Sequence, residues 1–153
     1  KWIQYIKKVR TLPPKHTPVG YVDAYYLFLE NPAIPDACDV VLINCYPFWE
    51  GANNDHALLY MQHMHDLTKL VAKGKKIIIT ETGWPSKGQA VLEAKPSADN
   101  AMKYFINAQQ WAKAENIDLF YFSSFDESWK IHQEGVVGTQ WGLWDKNEKA
   151  KFS

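Results

Sequence analysis

An acid closes a greasy run in the middle of this 153-residue chain. Lys75 to Thr80 is short and β-branched, with Gly74 before it and Glu81-Thr82-Gly83-Trp84-Pro85-Ser86 after it. Such a run reads as a fully buried parallel strand. Active sites are built at the carboxyl ends of parallel strands. A carboxylate there can act as nucleophile, general acid or general base. The strand has no use for the ring of Trp84, and an acid followed by such a ring points to chemistry on a sugar. Strict alternation puts Ile77, Ile79 and Glu81 on one face, which would deliver Glu81 to the rim of a sheet. The plain alternative is a solvated acid that caps the strand.

Other strand ends carry similar sets. Thr17 to Asp23 reads as a strand that closes on Asp23 and Tyr25. Asp39 to Tyr46 reads as a second buried strand, with Asn44, Tyr46, Phe48 and Trp49 at its end. Asp118 to Phe125 reads as a fourth, followed by Asp126-Glu127-Ser128-Trp129-Lys130. If these strands are neighbours, their ends form one concave, sugar-sized surface. Each aromatic has a packing alternative. Trp84 is either a subsite wall or a core ring under the next loop. Tyr46 is a hydrogen-bond donor to the acid or a buried ring with a satisfied hydroxyl. Trp49 is a stacking wall or loop packing. Glu127 and Lys130 are site groups or a surface ion pair of little worth. In an extended strand, Asp126 faces away from Glu127.

Helices connect these strands. Trp2, Ile6 and Val9 recur at helical spacing, and Pro13-Pro14 ends that helix. Tyr26 to Leu29 is a short helical stretch interrupted by Asn31-Pro32 and Pro35. A long helix is predicted from Asp55, as N-cap, to Lys73, with Gly74 as its stop and Ala57, Met61, Met64, Leu67 and Val71 as its buried stripe. Pro96-Ser97 starts another, with Ala101, Tyr104, Phe105, Ala108, Trp111 and Ala112 on its apolar face. Residues 138–153 read as loop with a short terminal helix. Alternation of strand and helix predicts an α/β fold with a parallel sheet.

Bulk properties exclude several classes. Lys+Arg and Asp+Glu balance at 17 each, which gives no basis for a nucleic-acid or anionic-membrane partner. No apolar run approaches the roughly 20 residues of a membrane span. The chain opens at Lys1-Trp2-Ile3-Gln4 inside a helical pattern with no signal peptide, so a mature, processed or truncated chain is expected. Cys38 and Cys45 on or beside one extended segment lie over ~20 Å apart and are expected to be free. His56, His63 and His65 invite a metal reading, but their spacing on a helix does not bring them together. A solvated helix face is expected, with no metal and no cofactor.

The run Glu81-Thr82-Gly83-Trp84-Pro85-Ser86, with Tyr46-Pro47 upstream and Phe125-Asp126-Glu127-x-Trp129-Lys130 downstream, resembles glycoside hydrolase family 17. These are β-1,3-glucanases and β-1,3-glucanosyltransferases. Trp141-Gly142-Leu143-Trp144-Asp145 adds to the likeness. The resemblance implies a (β/α)8 barrel and a retaining mechanism, with Glu81 as nucleophile. It also implies an acid/base Glu in an Asn-Glu pair on an earlier strand. The pair Asn147-Glu148 follows no strand, and Ser123 stands where relatives carry another Glu. Residues 1–153 are therefore expected to be one segment matching strands 5–8, a half barrel without its N-terminal half. About 250 residues make a whole barrel, which agrees. The resemblance implies β-1,3-glucan or laminari-oligosaccharides as partners. Tyr46, Trp84, Glu127, Lys130, Asp126, Asn44, Trp49, Asp23 and Tyr25 would bind them, and Lys130 would favour the ionised nucleophile. It further implies an extracellular, cell-wall or periplasmic location. The rival expectation is a non-catalytic half barrel that self-associates, or pairs with an N-terminal half, and binds glucan.

Overall fold

The computed structural model describes residues 1–12 and 14–152. Pro13, half of the expected helix stop, lies outside them, as does Ser153. The first helix, α1 (Trp2–Arg10), ends before the prolines, where Thr11 turns its hydroxyl back onto the Lys8 carbonyl at 2.7 Å.

Four strands form one parallel sheet in chain order: β1 (Gly20–Ala24), β2 (Val40–Asn44), β3 (Ile77–Thr82) and β4 (Leu119–Tyr121). The parallel α/β fold read from the sequence holds. The boundaries move. β4 is three residues long, not eight, because the chain beyond Tyr121 turns its backbone to the C-terminal segment. Ser123 N–H donates to Trp141 O, and Asp126 N–H donates to Trp144 O.

One face of the sheet is covered by helices. Val41, Ile43 and Ile79 are fully buried there with Phe28, Met61, Met64 and Tyr104 in one core. The covering elements are α2 (Tyr25–Glu30), α3 (Ala33–Ala37), α4 (Ala57–Ala72) and α5 (Ala98–Ala114). The sequence reading missed α3 because it contains Pro35. A proline in a first turn gives up an N–H that has no partner inside the helix anyway. Lys75 then fixes the end of α3. Its Nζ donates to the carbonyls of Pro35 (2.6 Å), Asp36 (3.0 Å) and Cys38 (2.8 Å). The N-cap before α4 is Asn53, not Asp55. Asn53 Oδ1 accepts from Asp55 N–H at 3.0 Å and starts a 3-10 turn that leads into the helix. Ser97 caps α5 as expected, accepting from Asn100 N–H at 3.0 Å.

The opposite face carries Val22, Leu42, Ile78 and Phe120, and no helix of the described residues covers it. Val22 and Phe120 remain 45% and 63% exposed. On α1 only Ile6 is buried, while Trp2 and Val9 stay half exposed. Cys38 and Cys45 are buried free thiols. His65 overturns the solvated-face expectation: it is buried against Trp111, with ring centroids 5.6 Å apart. The last helix, α6, spans Ile131–Gly138, a helix not expected there, and the described residues after it do not form the expected terminal helix. Trp144 and Ala150 instead make an antiparallel bridge in the tail.

Candidate active site

Glu81 reaches the site through a break in strand alternation. Ile79 and Thr82 are both buried toward the helices although they are three apart. The register of β3 slips between Ile43/Asn44 on one neighbour, so that Glu81 pairs with Asn44, and between Ile79/Thr82 on the other. Such a bulge re-aims side chains near functional sites. The expectation that Glu81 shares the face of Ile77 and Ile79 is therefore corrected. Thr82 takes the helix side, where its hydroxyl meets the Tyr104 hydroxyl at 2.6 Å. Glu81 is left free for the strand end.

There the Tyr46 hydroxyl donates to Glu81 Oε2 at 2.8 Å. Burial, and then this hydrogen bond, push the Tyr46 hydroxyl pKa far up, so it stays a donor. The two residues line a cavity of about 250 Å³ with Trp49, Phe122, Lys130, Glu134 and Trp141. The Trp141 ring stands 5.4 Å from Tyr46 and 5.6 Å from Trp49. Lys130 Nζ lies 4.3 Å over the Phe122 ring and 2.6 Å from a Glu127 carboxylate oxygen. Its charge thus faces a carboxylate and an aromatic face together.

A second cavity, of about 270 Å³, adjoins the first. Tyr46 and Trp49 line both, and Tyr25, Asn44 and Glu50 complete the second with Ala24 and Tyr26. Tyr25 donates to Glu50 Oε2 at 3.4 Å, and its hydroxyl is pushed up to about 12 by burial and by the Glu50 charge. Asn44 Oδ1 accepts from Thr80 Oγ1 at 2.7 Å, which fixes its amide on the cavity side of the sheet.

Four residues expected to contact glucan, Trp84, Asp126, Asp23 and Glu127, line neither cavity. Trp84 is 1% exposed, packs on Phe48 and Tyr104, and donates its indole N–H to Lys95 O at 3.1 Å. It supports the site from below and presents no face to a ligand. Asp126 is held by Lys151 (2.8 Å) and by Gly142 N–H (2.9 Å), outside both cavities. Asp23 accepts from the Tyr21 hydroxyl and from Ala24 N–H, also outside them. Glu127 lines neither cavity and acts on Lys130. Ser123 spends its hydroxyl on Phe125 O at 2.9 Å. Glu148, of the Asn147-Glu148 pair, sits in a turn held by Asp145. Sequence reasoning missed Glu50, Phe122 and Glu134 and gave Trp141 no site role. The Trp-Gly-Leu-Trp run was the only signal for Trp141, and Glu134 had none.

An acid with an aromatic enclosure at the carboxyl ends of parallel strands defines a segment of an α/β barrel with a carboxylate-centred pocket. The chain belongs to the BtgE/BtgC glycoside hydrolase domain family, whose model matches residues 1–142. It is 33% identical to the glucan 1,3-beta-glucosidase BGL2 of Candida albicans, over 89% of this chain and 47% of that protein. It is 30% identical to the cell surface mannoprotein MP65 of the same organism, over 83% of this chain and 33% of that one. Its fold matches the glycoside hydrolase family 17 β-1,3-glucanosyltransferase of Rhizomucor miehei, with a TM-score of 0.90 and 32% identity, over 98% of this chain and 55% of that one. An active-site mutant of that enzyme, in complex with laminaritriose, matches equally well. These matches bear out the family 17 resemblance. The chain spans about half the length of the curated relatives it matches first.

Proposed function

We propose that this chain is part of a retaining β-1,3-glucan hydrolase or transglycosylase, corresponding to the C-terminal half of the barrel, with Glu81 as nucleophile. The observation that carries this is the 2.8 Å hydrogen bond from Tyr46 to Glu81 inside an aromatic cavity at the strand ends. The hydroxyl fixes one carboxylate oxygen and leaves the other to attack. A bond forms from Glu81 to the anomeric carbon as the glycosidic C–O bond breaks. The leaving oxygen takes a proton from a second carboxyl group about 5–5.5 Å away. Water or a sugar hydroxyl then attacks the anomeric carbon, gives its proton to that second group, and releases Glu81. Hydrolysis and transglycosylation share these residues. Trp49 supplies a stacking face between the two cavities, Tyr25 and Asn44 extend the binding surface, and Lys130 with Glu127 sets the charge of the pocket. On this reading the acid/base belongs to the other half of the barrel. General acid catalysis contributes about 10²–10⁴-fold, so this chain alone is expected to be slow on natural glucan. Likeness to a cell surface mannoprotein supports an extracellular or wall location. No helix among the described residues is long and apolar enough to cross a membrane.

A substrate that needs no acid isolates the nucleophile. Dinitrophenyl 2-deoxy-2-fluoro-β-laminaribioside expels dinitrophenolate without protonation, and its fluorine slows release of the glycosyl intermediate. The chain is expected to gain one fluoroglycosyl mass on the peptide carrying Glu81, and Glu81→Gln to gain none. Labelling of another residue overturns the assignment, and so does absence of label in a chain that binds laminaritriose.

A specific observation favours a second reading as well. The uncovered sheet face with Val22 and Phe120, and the half-exposed Trp2 and Val9, fit a non-catalytic half barrel that closes on another copy or on an N-terminal half. Mass in solution tests it: a dimer or a complex supports it, and a stable monomer removes it.

A further inference from the structure

Glu134 stands in the wall of the Glu81 cavity, yet no ion pair or side-chain hydrogen bond among the described residues involves it. Two glycines put it there. Gly135 takes φ +67° and ψ −160°, breaking the helical course of α6 directly after Glu134. Left-handed φ of this kind suits glycine. Gly138 lies against the Glu134 side chain: a Cβ on Gly138 would fall 2.4 Å from Glu134 Cβ and 2.8 Å from its Oε2. The space beside Gly138 is thus filled by the carboxylate arm.

A second observation concerns the same cavity. Trp141 is 3% exposed, lines the cavity, and its indole Nε1 has no hydrogen-bond partner among the described residues. Buried donors are normally paired, and an unpaired one calls for an explanation. The cavity wall therefore carries a buried donor without a partner and an exposed carboxylate that no described side chain engages, beside the Tyr46–Glu81 pair. Glu134 is close enough to Tyr46 for its charge to help raise that hydroxyl, after burial and the Glu81 contact.

We propose that Glu134 is a substrate-binding carboxylate, seated on Gly138, that accepts hydrogen bonds from hydroxyl groups of the sugar unit held against Glu81. A carboxylate offers two acceptor oxygens in a plane, which suits a pair of neighbouring pyranose hydroxyls. Lys130, one helical turn earlier, is already matched by Glu127, so the negative charge of Glu134 remains available to a neutral polyhydroxyl ligand. The assignment rests on the glucan reading above and adds a contact to it.

Calorimetric titration of the full chain with laminaritriose tests it. Glu134→Ala removes the carboxylate at an exposed position, and Gly138→Ala displaces it without changing its chemistry. Each is expected to weaken binding at least about tenfold, the size of a hydrogen bond to a charged group. Glu93→Gln, an exposed control outside both cavities, is expected to leave affinity unchanged. Circular dichroism melts establish that each variant is folded. Wild-type affinity in Glu134→Ala overturns the assignment and leaves the glucan reading standing. Absence of saturable binding by the unsubstituted chain removes both.

Discussion

Tyr46 and Glu81 come from neighbouring strand ends and meet at 2.8 Å, hydroxyl to carboxylate. The contact fixes which carboxylate oxygen is occupied. Tyr46→Phe keeps the ring that packs on Trp141 and removes only the donor. A hydrogen bond to a charged group is worth about 1.5–3 kcal/mol, so labelling by the fluoroglycoside is expected to slow about ten- to a hundredfold. The melting temperature should hardly change. An unaltered labelling rate would show that the hydroxyl does not orient the nucleophile.

Trp49 and Trp84 should separate binding from stability. Trp84 is a core ring, and Trp84→Ala is expected to cost about 3–5 kcal/mol in chemical denaturation. Trp49 is 42% exposed at the wall shared by two cavities. Trp49→Ala is expected to lose laminaritriose affinity about tenfold, with stability changed by less than about 1 kcal/mol. The reverse pattern would contradict the placement of both rings.

Gly83 follows β3 and lies against Phe122, the residue after β4. A Cβ there would fall 2.0 Å from the Phe122 carbonyl oxygen. Gly83→Ala must push these backbones apart, at a cost of about 1–3 kcal/mol or more. Because Phe122 lines the Glu81 cavity, laminaritriose affinity should fall in the same variant. Stability equal to wild type would mean that the two strand ends are not held this close.

His65 supplies a pH dependence. Burial, then the charge of Lys69, lowers its pKa from the ordinary value of 6.5. The folded state holds it neutral, while the unfolded chain protonates near 6.5. Its contribution to stability is therefore present above that value and lost as pH falls through the depressed folded pKa. Melting temperatures should decline below about pH 6.5. His65→Phe should flatten that part of the profile. A slope identical in the variant would assign it to other groups.

The acid at the end of a greasy run was legible because parallel strands write their burial into sequence. The way Glu81 reaches the cavity was not. Alternation places it with Ile79, and only the mismatch of β3 with both neighbours sets it free. The stripe of α4 shows the same limit. Spacing gave Ala57, Met61 and Met64 correctly, but His65 and Thr68 lie in the same stripe and are buried despite their polarity. Thr68 manages this by returning its hydroxyl to the Met64 carbonyl at 2.9 Å. The end of β4 depends on pairing with Trp141 to Trp144, which no local pattern announces. Glu134 depends on one glycine's left-handed turn and another's missing Cβ.

Trp49 and Trp141 stand 5.6 Å apart with planes tilted by 40°, one half exposed and the other buried, beside the carboxylate. Their emission is sensitive to the water around each indole. A sugar that covers Trp49 dries one of the pair and leaves the other as it was. On the glucan reading, the pair is an optical gauge of the pocket: a blue shift on titration that Trp49→Phe abolishes is expected to report occupancy without any label.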